Sequence, residues 1–461
     1  MKRNKLLEVI QRAETGPITL EKHFDLKVLN AKVKEVVKEY DIRFSDDPTI
    51  VIPSDNSLAD SLFQAAVDLY LETGTYCMSN HRQIIFEEAE IRGAFRNAPA
   101  EITFGAGSDT RNMKNRKVED TTPPLCLTSG GGEISEEIYV QLIQSYAQEP
   151  LADTVSGGFP LHKISGMDPK PGTPAEVLAS IYNIKYAKEG ARLAGRPSIG
   201  FHNLLGSALS ASGYIAATQP EYGVRPVDGN LIASMAELKT DFAQLSKALY
   251  YTERNNVLIG AVYVPLMGGY AGGPEGTAVV TLAHHFQGLM VHNVAYSDFP
   301  VLHLQHSCST ARETLWIAGI VGQALSRNTH LLSATEAITA AGPCTEMCLY
   351  EVAANAVIGA VSGIHINSAS AAKSQYLDRE SGMEARIGCE VGHAATGMKR
   401  DSANELVNAI LAKYEPSLGK APLGKTFQEC YDLKTLQPSN EHTGIYNQVK
   451  KELHDLGLNF S

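Results

Sequence analysis

The stretch Val257-Leu-Ile-Gly-Ala-Val-Tyr-Val-Pro-Leu266 decides the fold class, because it is almost entirely apolar and a glycine-rich segment follows it. Short apolar runs of this kind are typical of strands that are buried on both faces of a parallel sheet. Helical patterns such as Glu237–Leu249 and Glu313–Leu325 separate most of the similar runs in the chain. The other candidate strands are Leu125–Thr128, Asp153–Ser156, Ser198–Phe201, Leu231–Ala233, Val301–Leu304, Leu331–Ser333 and Ile364–Asn367. Eight strands that alternate with helices predict an α/β fold, a closed parallel (β/α)8 or TIM barrel.

Helical extensions are expected at both ends of this barrel, which we place at residues 121–400. Residues 1–120 form a mostly helical N-terminal region, in which Ser57-Leu-Ala-Asp60 resembles a helix start. The apolar residues that then fall on one helix face are Leu58, Leu62, Ala65 and Leu69. Residues 401–461 are predicted to form a polar, helical C-terminal tail.

Composition restricts the class of protein. The 461 residues are 44% hydrophobic, but they contain no apolar run of the length of about 18 residues that a membrane helix needs. The net charge of −11 disfavours nucleic-acid partners, which are bound through lysine and arginine contacts to phosphate. The seven cysteines are scattered and the N-terminus lacks an apolar signal region, so we expect a cytoplasmic protein without a disulfide framework.

Five segments closely resemble the monomethylamine–corrinoid protein methyltransferases. They are Gly268-Gly-Tyr-Ala-Gly-Gly273, Arg312-Glu-Thr-Leu315, Gly342-Pro-Cys-Thr-Glu-Met-Cys348, Gly382-Met-Glu-Ala-Arg386 and Lys425-Thr-Phe-Gln-Glu-Cys-Tyr-Asp432. The resemblance runs from roughly residue 20 to the end and keeps the order of the segments. It implies a TIM barrel that moves a methyl group from an amine to the cobalt of a separate corrinoid protein. It also implies a homohexamer with no tightly bound cofactor of its own.

The resemblance makes His202 the residue of greatest interest, because pyrrolysine holds this place in the family. There the imine ring of pyrrolysine is the catalytic electrophile, whereas imidazole has no imine carbon with which to form an amine adduct. We therefore predict that monomethylamine is not the substrate. We expect the His202 side chain at the end of the third strand, pointing into the barrel mouth. The alternative is a buried histidine bonded to a neighbour. The stretch 201–212 matches the family at few positions.

Two glutamates complete the predicted catalytic set. By the resemblance, Glu237 and Glu336 occupy positions at or beside the substrate pocket, Glu336 replacing an amide side chain. Each also fits Ser-x-x-Glu, with Ser234 and Ser333, which is a capping box at a helix start. Both roles stay open, because helix starts after barrel strands lie at the active-site rim.

Five residues are predicted to bind substrate. Val262 takes the place of a pocket carboxylate of the family, which indicates a larger or less ionic substrate. Tyr263 either lines the pocket or packs in the core. His306 replaces a large aromatic residue of the family, and Gln305 and Asn203 complete the set.

The segment Gly268, Gly269, Tyr270, Gly272 and Gly273 follows the fifth strand. Glycines permit positive φ and close backbone approach. The segment is therefore either a rim loop that admits the corrinoid plane or a tight strand-to-helix turn. It is not a convincing GxGxxG fingerprint, so NAD binding is rejected.

No metal site is predicted. Cys344 and Cys348 have a spacing that zinc ligands adopt, but no second pair or histidine stands near them in the sequence. His303 and His306, near the sixth strand, are expected on opposite faces. Only a spatial cluster of His202, Glu336 and a cysteine would favour a catalytic zinc.

The predicted function is methyl transfer from an N-methylated molecule to Co(I) of a corrinoid protein without pyrrolysine. A quaternary ammonium fits because it carries its own neutral leaving group, and carboxylates and aromatic faces would hold its charge. Alternatively, His202 with a pKa near neutrality would protonate a poorer leaving group. The remaining alternatives are a zinc-dependent enzyme for methanol or methylthiol compounds and an inactive paralogue that only binds a corrinoid protein.

Overall fold

Eight parallel strands form the centre of the molecule. The structure is a computed structural model that describes residues 2–44, 47–206 and 210–460. The strands are β1 Cys126–Thr128, β2 Thr154–Ser156, β3 Gly200–Asn203, β4 Gly229–Ser234, β5 Leu258–Tyr263, β6 Tyr296–Asp298, β7 Ser333–Ile338 and β8 His365–Ser370. Their order in the sheet is β3-β2-β1-β8-β7-β6-β5-β4. The predicted TIM barrel with helical extensions is confirmed. Residues 207–209, in the divergent stretch 201–212, lie outside the described residues.

Side-chain amides join β3 to β4, where the described strands form no backbone ladder. The backbone N–H groups of Leu204 and Leu205 each donate to Asn230 Oδ1 at 3.1 Å. The N–H of Leu231 donates to Asn203 Oδ1 at 3.4 Å. These bonds satisfy backbone donors that a ladder would otherwise pair, and they close the barrel.

A helix follows each barrel strand, as the alternating pattern predicts. In chain order these helices are Tyr139–Ala147, Pro174–Leu193, Ala211–Ala217, Phe242–Arg254, Pro274–Val291, Arg312–Asn328, Glu346–Val361 and Gly382–Ala394. Several begin at residues whose side chains cap free N–H groups; Asp241, for example, accepts a bond from the N–H of Gln244. The predicted helix Glu237–Leu249 therefore begins later, at Phe242, because Asp241 rather than Ser234 caps it.

The sixth strand is the one misplaced prediction. Seven predicted strands overlap the observed ones, but β6 lies at Tyr296–Asp298 rather than at Val301–Leu304. Leu302–His303 instead pairs with Leu266–Met267 in a separate two-stranded sheet. The error arises because β6 carries polar side chains inside the barrel, so a search for apolar runs passes over it.

A β-hairpin fills the N-terminal end of the barrel. Its strands are Glu101–Phe104 and Arg111–Lys114. The buried rings of Phe104 and Tyr296 meet edge to face at 5.2 Å, and Leu127 and Leu231 pack in the same apolar cluster. This layer leaves the opposite, C-terminal end of the barrel for the polar side chains.

The extensions cover the outside of the barrel. The helices of the N-terminal region are Lys2–Thr15, Glu21–His23, the π-helix Phe24–Leu29, Asn30–Glu39, Asn56–Thr73 and Glu88–Asn97. Thr75–Cys77 pairs with Arg82–Ile84 and with Lys239–Thr240. The helices after the barrel are Arg400–Tyr414, Phe427–Cys430 and Asn440–Asp455. Among the described helices, none combines the length and the apolar character that crossing a bilayer requires.

Candidate active site

Two carboxyl groups meet inside the barrel near the C-terminal ends of β6 and β7. Asp298 and Glu336 lie within hydrogen-bond reach of each other, and both are buried. Asn367 Nδ2 donates to Asp298 Oδ2 at 2.5 Å, and Ser370 Oγ donates to Glu336 Oε1 at 2.5 Å. The neighbouring strands β6, β7 and β8 therefore bring these four polar side chains together.

The two carboxyl groups hold protons more tightly than in water. Burial raises the pKa of Asp298 well above its ordinary value, and the charge of Glu336 raises it further. Burial also raises the pKa of Glu336, although the bonds from Ser370 and Asp298 oppose the shift. Two carboxylates so close together cannot both ionise easily, so the pair shares a proton. Neither group forms an ion pair with a lysine or arginine of the described residues.

His202 lies within β3 and is buried. Its flanking residue Phe201 packs in the core outside the barrel, so alternation along the strand turns the imidazole inward. The ring Nδ1 bonds to Thr154 Oγ1 at 2.9 Å, whereas Nε2 has no partner among the described residues. Burial lowers the pKa of His202 to about 3, so the imidazole is neutral at physiological pH.

Tyr296 connects β6 to β3 beneath this polar layer. Its hydroxyl donates to the backbone carbonyl of His202, and Asp298 follows it by two residues on the same face of β6. Three buried atoms in the layer have no hydrogen-bond partner among the described residues: His202 Nε2, Asp298 Oδ1 and Asn367 Oδ1. Buried polar atoms without partners are costly, and their concentration in a barrel mouth marks it as a place for a polar ligand.

Glu237 occupies the rim between β4 and β5. Its Oε1 accepts a bond from the N–H of Leu266 at 3.0 Å, and its Oε2 is buried without a described partner. Burial raises the pKa of Glu237 to about 7, although the bond from Leu266 opposes the shift. Glu237 therefore joins the loops that follow two adjacent strands.

The comparisons with known proteins agree on one family. A profile of the family Monomethylamine methyltransferase MtmB matches residues 5–458. The Monomethylamine methyltransferase MtmB of Methanosarcina mazei is 35% identical over 452 residues, which cover 97% of each chain. Monomethylamine methyltransferase MtmB3 of Methanosarcina barkeri matches with the same identity and coverage. The crystal structure of Methanosarcina barkeri MtmB superimposes with a TM-score of 0.94 at 33% identity, covering 99% of this chain and 98% of that one.

This chain belongs to the monomethylamine methyltransferase MtmB family. It is therefore a methyltransferase. A second solved MtmB structure, a hydroxylamine complex, matches with the same TM-score, identity and coverage. The resemblance drawn from the five sequence segments is confirmed over nearly the whole chain.

The capping-box alternative for the two glutamates is wrong in this MtmB homologue. Glu336 lies in strand β7 rather than at a helix start. Glu237 lies in the turn after β4, five residues before the helix that begins at Phe242. A Ser-x-x-Glu pattern does not by itself mark a helix start, since Ser234 is the last residue of β4 and Ser333 is the first residue of β7.

The prediction that Tyr263 lines the substrate pocket is corrected. The Tyr263 ring stacks on His284 with 5.7 Å between centroids and contacts His285 at 4.9 Å. Both histidines belong to the helix Pro274–Val291, so Tyr263 points away from the barrel interior and is a core tyrosine. Its neighbour Val262 lies on the opposite face and packs against the apolar layer inside the barrel.

The other predicted substrate-binding residues lie on the rim. His306 and Gln305 belong to a turn after the strand Leu302–His303, and the rings of His303 and His306 are 4.5 Å apart. The expectation that these two rings lie on opposite faces is wrong, because the turn after His303 folds them together. Asn203 is the last residue of β3, and its side-chain amide joins β3 to β4. Substrate contact by these residues remains a prediction.

The glycine-rich segment forms a tight connection from β5 to the helix Pro274–Val291. Gly268 N–H donates to the carbonyl of Gly272 at 2.8 Å, and both residues have positive φ, 95° and 85°. These angles favour glycine because a side chain would be strained there. Gly269, Tyr270 and Gly273 complete the turn. The strand-to-helix turn is confirmed, and its use as a corrinoid-facing rim remains a prediction.

Cys344 and Cys348 have different surroundings. Cys344 hydrogen-bonds with the thiol of Cys430, whereas Cys348 Sγ contacts Thr339 Oγ1 at 3.4 Å. No group of potential metal ligands among the described residues includes His202. The spatial cluster that would favour a catalytic zinc is therefore not formed by His202 and Glu336.

Sequence reasoning missed Asp298, Asn367 and Ser370. Asp298 was passed over because β6 was sought five residues later, although an acidic residue within an apolar segment was a usable signal. Asn367 was the last residue of a correctly placed candidate strand, and period-2 alternation alone does not say which face is the interior.

Proposed function

We propose that this protein transfers a methyl group from a cationic N-methylated small molecule, a quaternary ammonium compound, to the cobalt of a corrinoid protein. The observation that carries the proposal is the buried pair Asp298–Glu336, which lacks a cationic partner among the described residues. A buried carboxylate is costly unless a cation compensates it. A substituted ammonium bound beside the pair would supply that charge and release the shared proton.

His202 supports a cationic donor in a second way. Because its pKa is lowered to about 3, the imidazole adds no positive charge that would repel an ammonium group. The same neutrality disfavours the alternative in which His202 protonates a methoxy or amine leaving group near neutral pH. We assign His202 Nε2 a positioning contact with the donor.

A quaternary donor removes the need for pyrrolysine. Methyl transfer is an in-line displacement at carbon, and the leaving amine departs as a neutral molecule without a proton. The corrinoid acceptor supplies a strongly nucleophilic Co(I) when its own protein delivers it. The residues of this chain are left to bind the ammonium, exclude water and aim one methyl group at the mouth.

The loops at the C-terminal face suit docking by the corrinoid protein. They expose large apolar side chains, among them Tyr270 (45% exposed) after β5 and Leu304 (58% exposed) after β6. Apolar side chains that cluster around a mouth favour a protein partner. We propose that the corrinoid arrives on that partner, that the chain holds no cofactor tightly, and that it forms a homohexamer. Light scattering of the purified protein measures the last point.

The test is methyl transfer to free cob(I)alamin, followed by its visible absorption. The donor panel contains tetramethylammonium, glycine betaine, monomethylamine, methanol and a methoxy compound. We expect turnover with a quaternary donor and none with monomethylamine. Turnover of only methanol or methoxy compounds would contradict the cationic donor and favour a zinc-type enzyme. Turnover of monomethylamine would show that the scaffold does not need pyrrolysine for its family substrate.

Variants test the carboxyl pair in the same assay. Glu336→Gln keeps the shape of the side chain but removes its charge, and we expect KM for the quaternary donor to rise by roughly 30-fold, about 2 kcal/mol. The matched control Glu8→Gln, on the exposed face of the first helix, should leave KM unchanged. An unchanged KM in Glu336→Gln would remove the pair from donor binding. Corrinoid-protein binding without turnover of any donor would favour the inactive paralogue.

A further inference from the structure

A second cluster of reactive side chains lies at the opposite, N-terminal end of the barrel. Cys126 begins β1, Asp153 directly precedes β2, and His393 lies on the helix Gly382–Ala394. One ligand atom from each of these residues lies within 4.8 Å of the others. Three elements from distant parts of the chain therefore bring a thiol, a carboxylate and an imidazole together, away from the Asp298–Glu336 pair.

A fourth donor stands beside these three. Cys389 precedes His393 by four residues on the same helix, so the two side chains share one helix face. The thiols of Cys389 and Cys126 are in hydrogen-bond contact. Two thiols, one imidazole and one carboxylate are donor types that zinc binds in four-coordinate sites.

Two of the donor atoms have few or no close hydrogen-bond partners among the described residues. His393 Nε2 is buried and has no partner among the described residues. Besides its contact with the Cys389 thiol, Cys126 Sγ has only long contacts among the described residues, 3.9 Å to the carbonyl oxygens of Pro124 and Cys389.

Asp153 is already oriented for such a role. Its Oδ1 accepts a bond from Arg111 Nε at 2.7 Å, and its Oδ2 accepts a bond from the N–H of Cys126 at 2.9 Å. Each carboxylate oxygen keeps a second lone pair for a metal. Bonds of this kind fix the orientation of metal ligands, and Arg111 offsets the negative charge of Asp153.

We propose that Cys126, Cys389, His393 and Asp153 bind one Zn²⁺ ion as a structural site. On binding, the two thiols lose their protons to solvent and form two zinc–sulfur bonds, while His393 and Asp153 donate lone pairs. With four protein ligands the site has no open position, so its role is structural. It ties the starts of β1 and β2 to the last barrel helix and so fastens the first and last parts of the barrel together.

Cobalt substitution tests the site in the intact protein. The chain is purified under reducing conditions, stripped with a chelator and titrated with Co²⁺. We expect one equivalent to bind with a thiolate-to-cobalt charge-transfer band and the visible bands of a tetrahedral ion. One equivalent of Zn²⁺ should then displace it and raise the melting temperature of the stripped protein. A folded protein without these bands would overturn the proposal.

Variants assign the ligands. His393→Gln and the double variant Cys126→Ser with Cys389→Ser should lose the tetrahedral spectrum. The matched controls His454→Gln and Cys77→Ser with Cys308→Ser, outside the cluster, should keep it. Retention of the spectrum by His393→Gln would exclude that ligand and overturn the set. If the double cysteine variant fails to fold, the native protein and His393→Gln still decide the outcome.

Discussion

At the residue scale, burial makes His202 a group that stays neutral at physiological pH. An exposed histidine titrates near physiological pH, but His202 has only Thr154 as a described side-chain partner, and nothing there stabilises its cation. The sequence resemblance predicts a reactive residue at this position, whereas the surroundings of His202 make it a neutral hydrogen-bonding ring. A neutral imidazole suits a positioning role, whereas general acid catalysis requires a protonated one.

The titration of His202 follows from this neutrality. We expect its NMR signals to stay those of neutral imidazole from about pH 8 to about pH 5, because its pKa is about 3 in the folded protein. In the unfolded chain the same imidazole has a pKa near 6.5. The free energy of unfolding therefore falls as the pH is lowered from about 6.5 towards 3, by up to about 1.4 kcal/mol per pH unit. His202→Asn should weaken this acid sensitivity; an unchanged pH dependence would contradict the assignment.

Substitutions of two tyrosines, Tyr263 and Tyr296, test whether each side chain points out of the barrel or into it. Tyr263→Phe removes a buried hydroxyl that has no hydrogen-bond partner in the described part of the chain. We therefore expect unchanged methyl transfer and a stability equal to or about 1 kcal/mol above that of the native protein. Tyr296→Phe instead leaves the carbonyl of His202 unbonded and should destabilise by about 1–3 kcal/mol. Urea unfolding measures both. A rise in KM for Tyr263→Phe would restore its predicted place in the pocket.

At the element scale, the junction of β3 and β4 is the weak seam of the barrel. Elsewhere along the described strands, backbone ladders join neighbours, but here Asn230 and Asn203 replace the ladder. Asn230 Nδ2 also donates to the hydroxyl of Tyr251 at 2.8 Å, so one amide connects two strands and a helix. His202 stands on the strand that this seam secures.

Asn230→Ala should therefore cost far more than an ordinary surface substitution. It leaves the N–H groups of Leu204 and Leu205 without their acceptor, and we expect a loss of about 3 kcal/mol in the free energy of unfolding. Asn447→Ala, on the exposed face of the last helix, is the matched control. Equal midpoints for the two variants in urea would show that the seam does not depend on this amide.

At the scale of the whole molecule, a buried ion pair fastens the C-terminal extension to the barrel. His442 Nε2 lies 3.0 Å from Glu384 Oε1, and both side chains are almost fully buried. The helix Asn440–Asp455 carries the histidine, and the helix after β8 carries the glutamate. Burial lowers the pKa of His442, but the charge and hydrogen bond of Glu384 outweigh it, so the net shift is upward.

This pair predicts a loss of stability in alkali. In the folded protein His442 keeps its proton to higher pH than in the unfolded chain. Its contribution to the free energy of unfolding is therefore complete below about pH 6.5 and disappears as the pH rises through the raised pKa. His442→Gln should cost about 3 kcal/mol near pH 6 and clearly less near pH 9. The control His454→Gln, on an exposed face, should show no such change in unfolding by urea. A cost independent of pH would mean that the pair is not ionic.

Much of the fold could be predicted from the sequence because strands buried on both faces are short apolar runs, and seven of the eight predicted strands overlap observed ones. The five family segments also placed the chain among the MtmB methyltransferases and singled out His202. Strand β6 was not predicted, because it carries Tyr296 and Asp298 inside the barrel in place of aliphatic side chains. The same substitution makes the strand important, since it contributes Asp298 to the candidate site.

The sequence by itself therefore determined the alternation of strands and helices, the family, and the presence of a histidine at residue 202. Only the tertiary structure decided that Asp298 meets Glu336, that Tyr263 points outward, and that Cys126 lies beside His393. Local periodicity separates the two faces of a strand, but when both faces are buried it does not tell which one is the interior. That choice, and every contact between distant segments, depends on barrel closure.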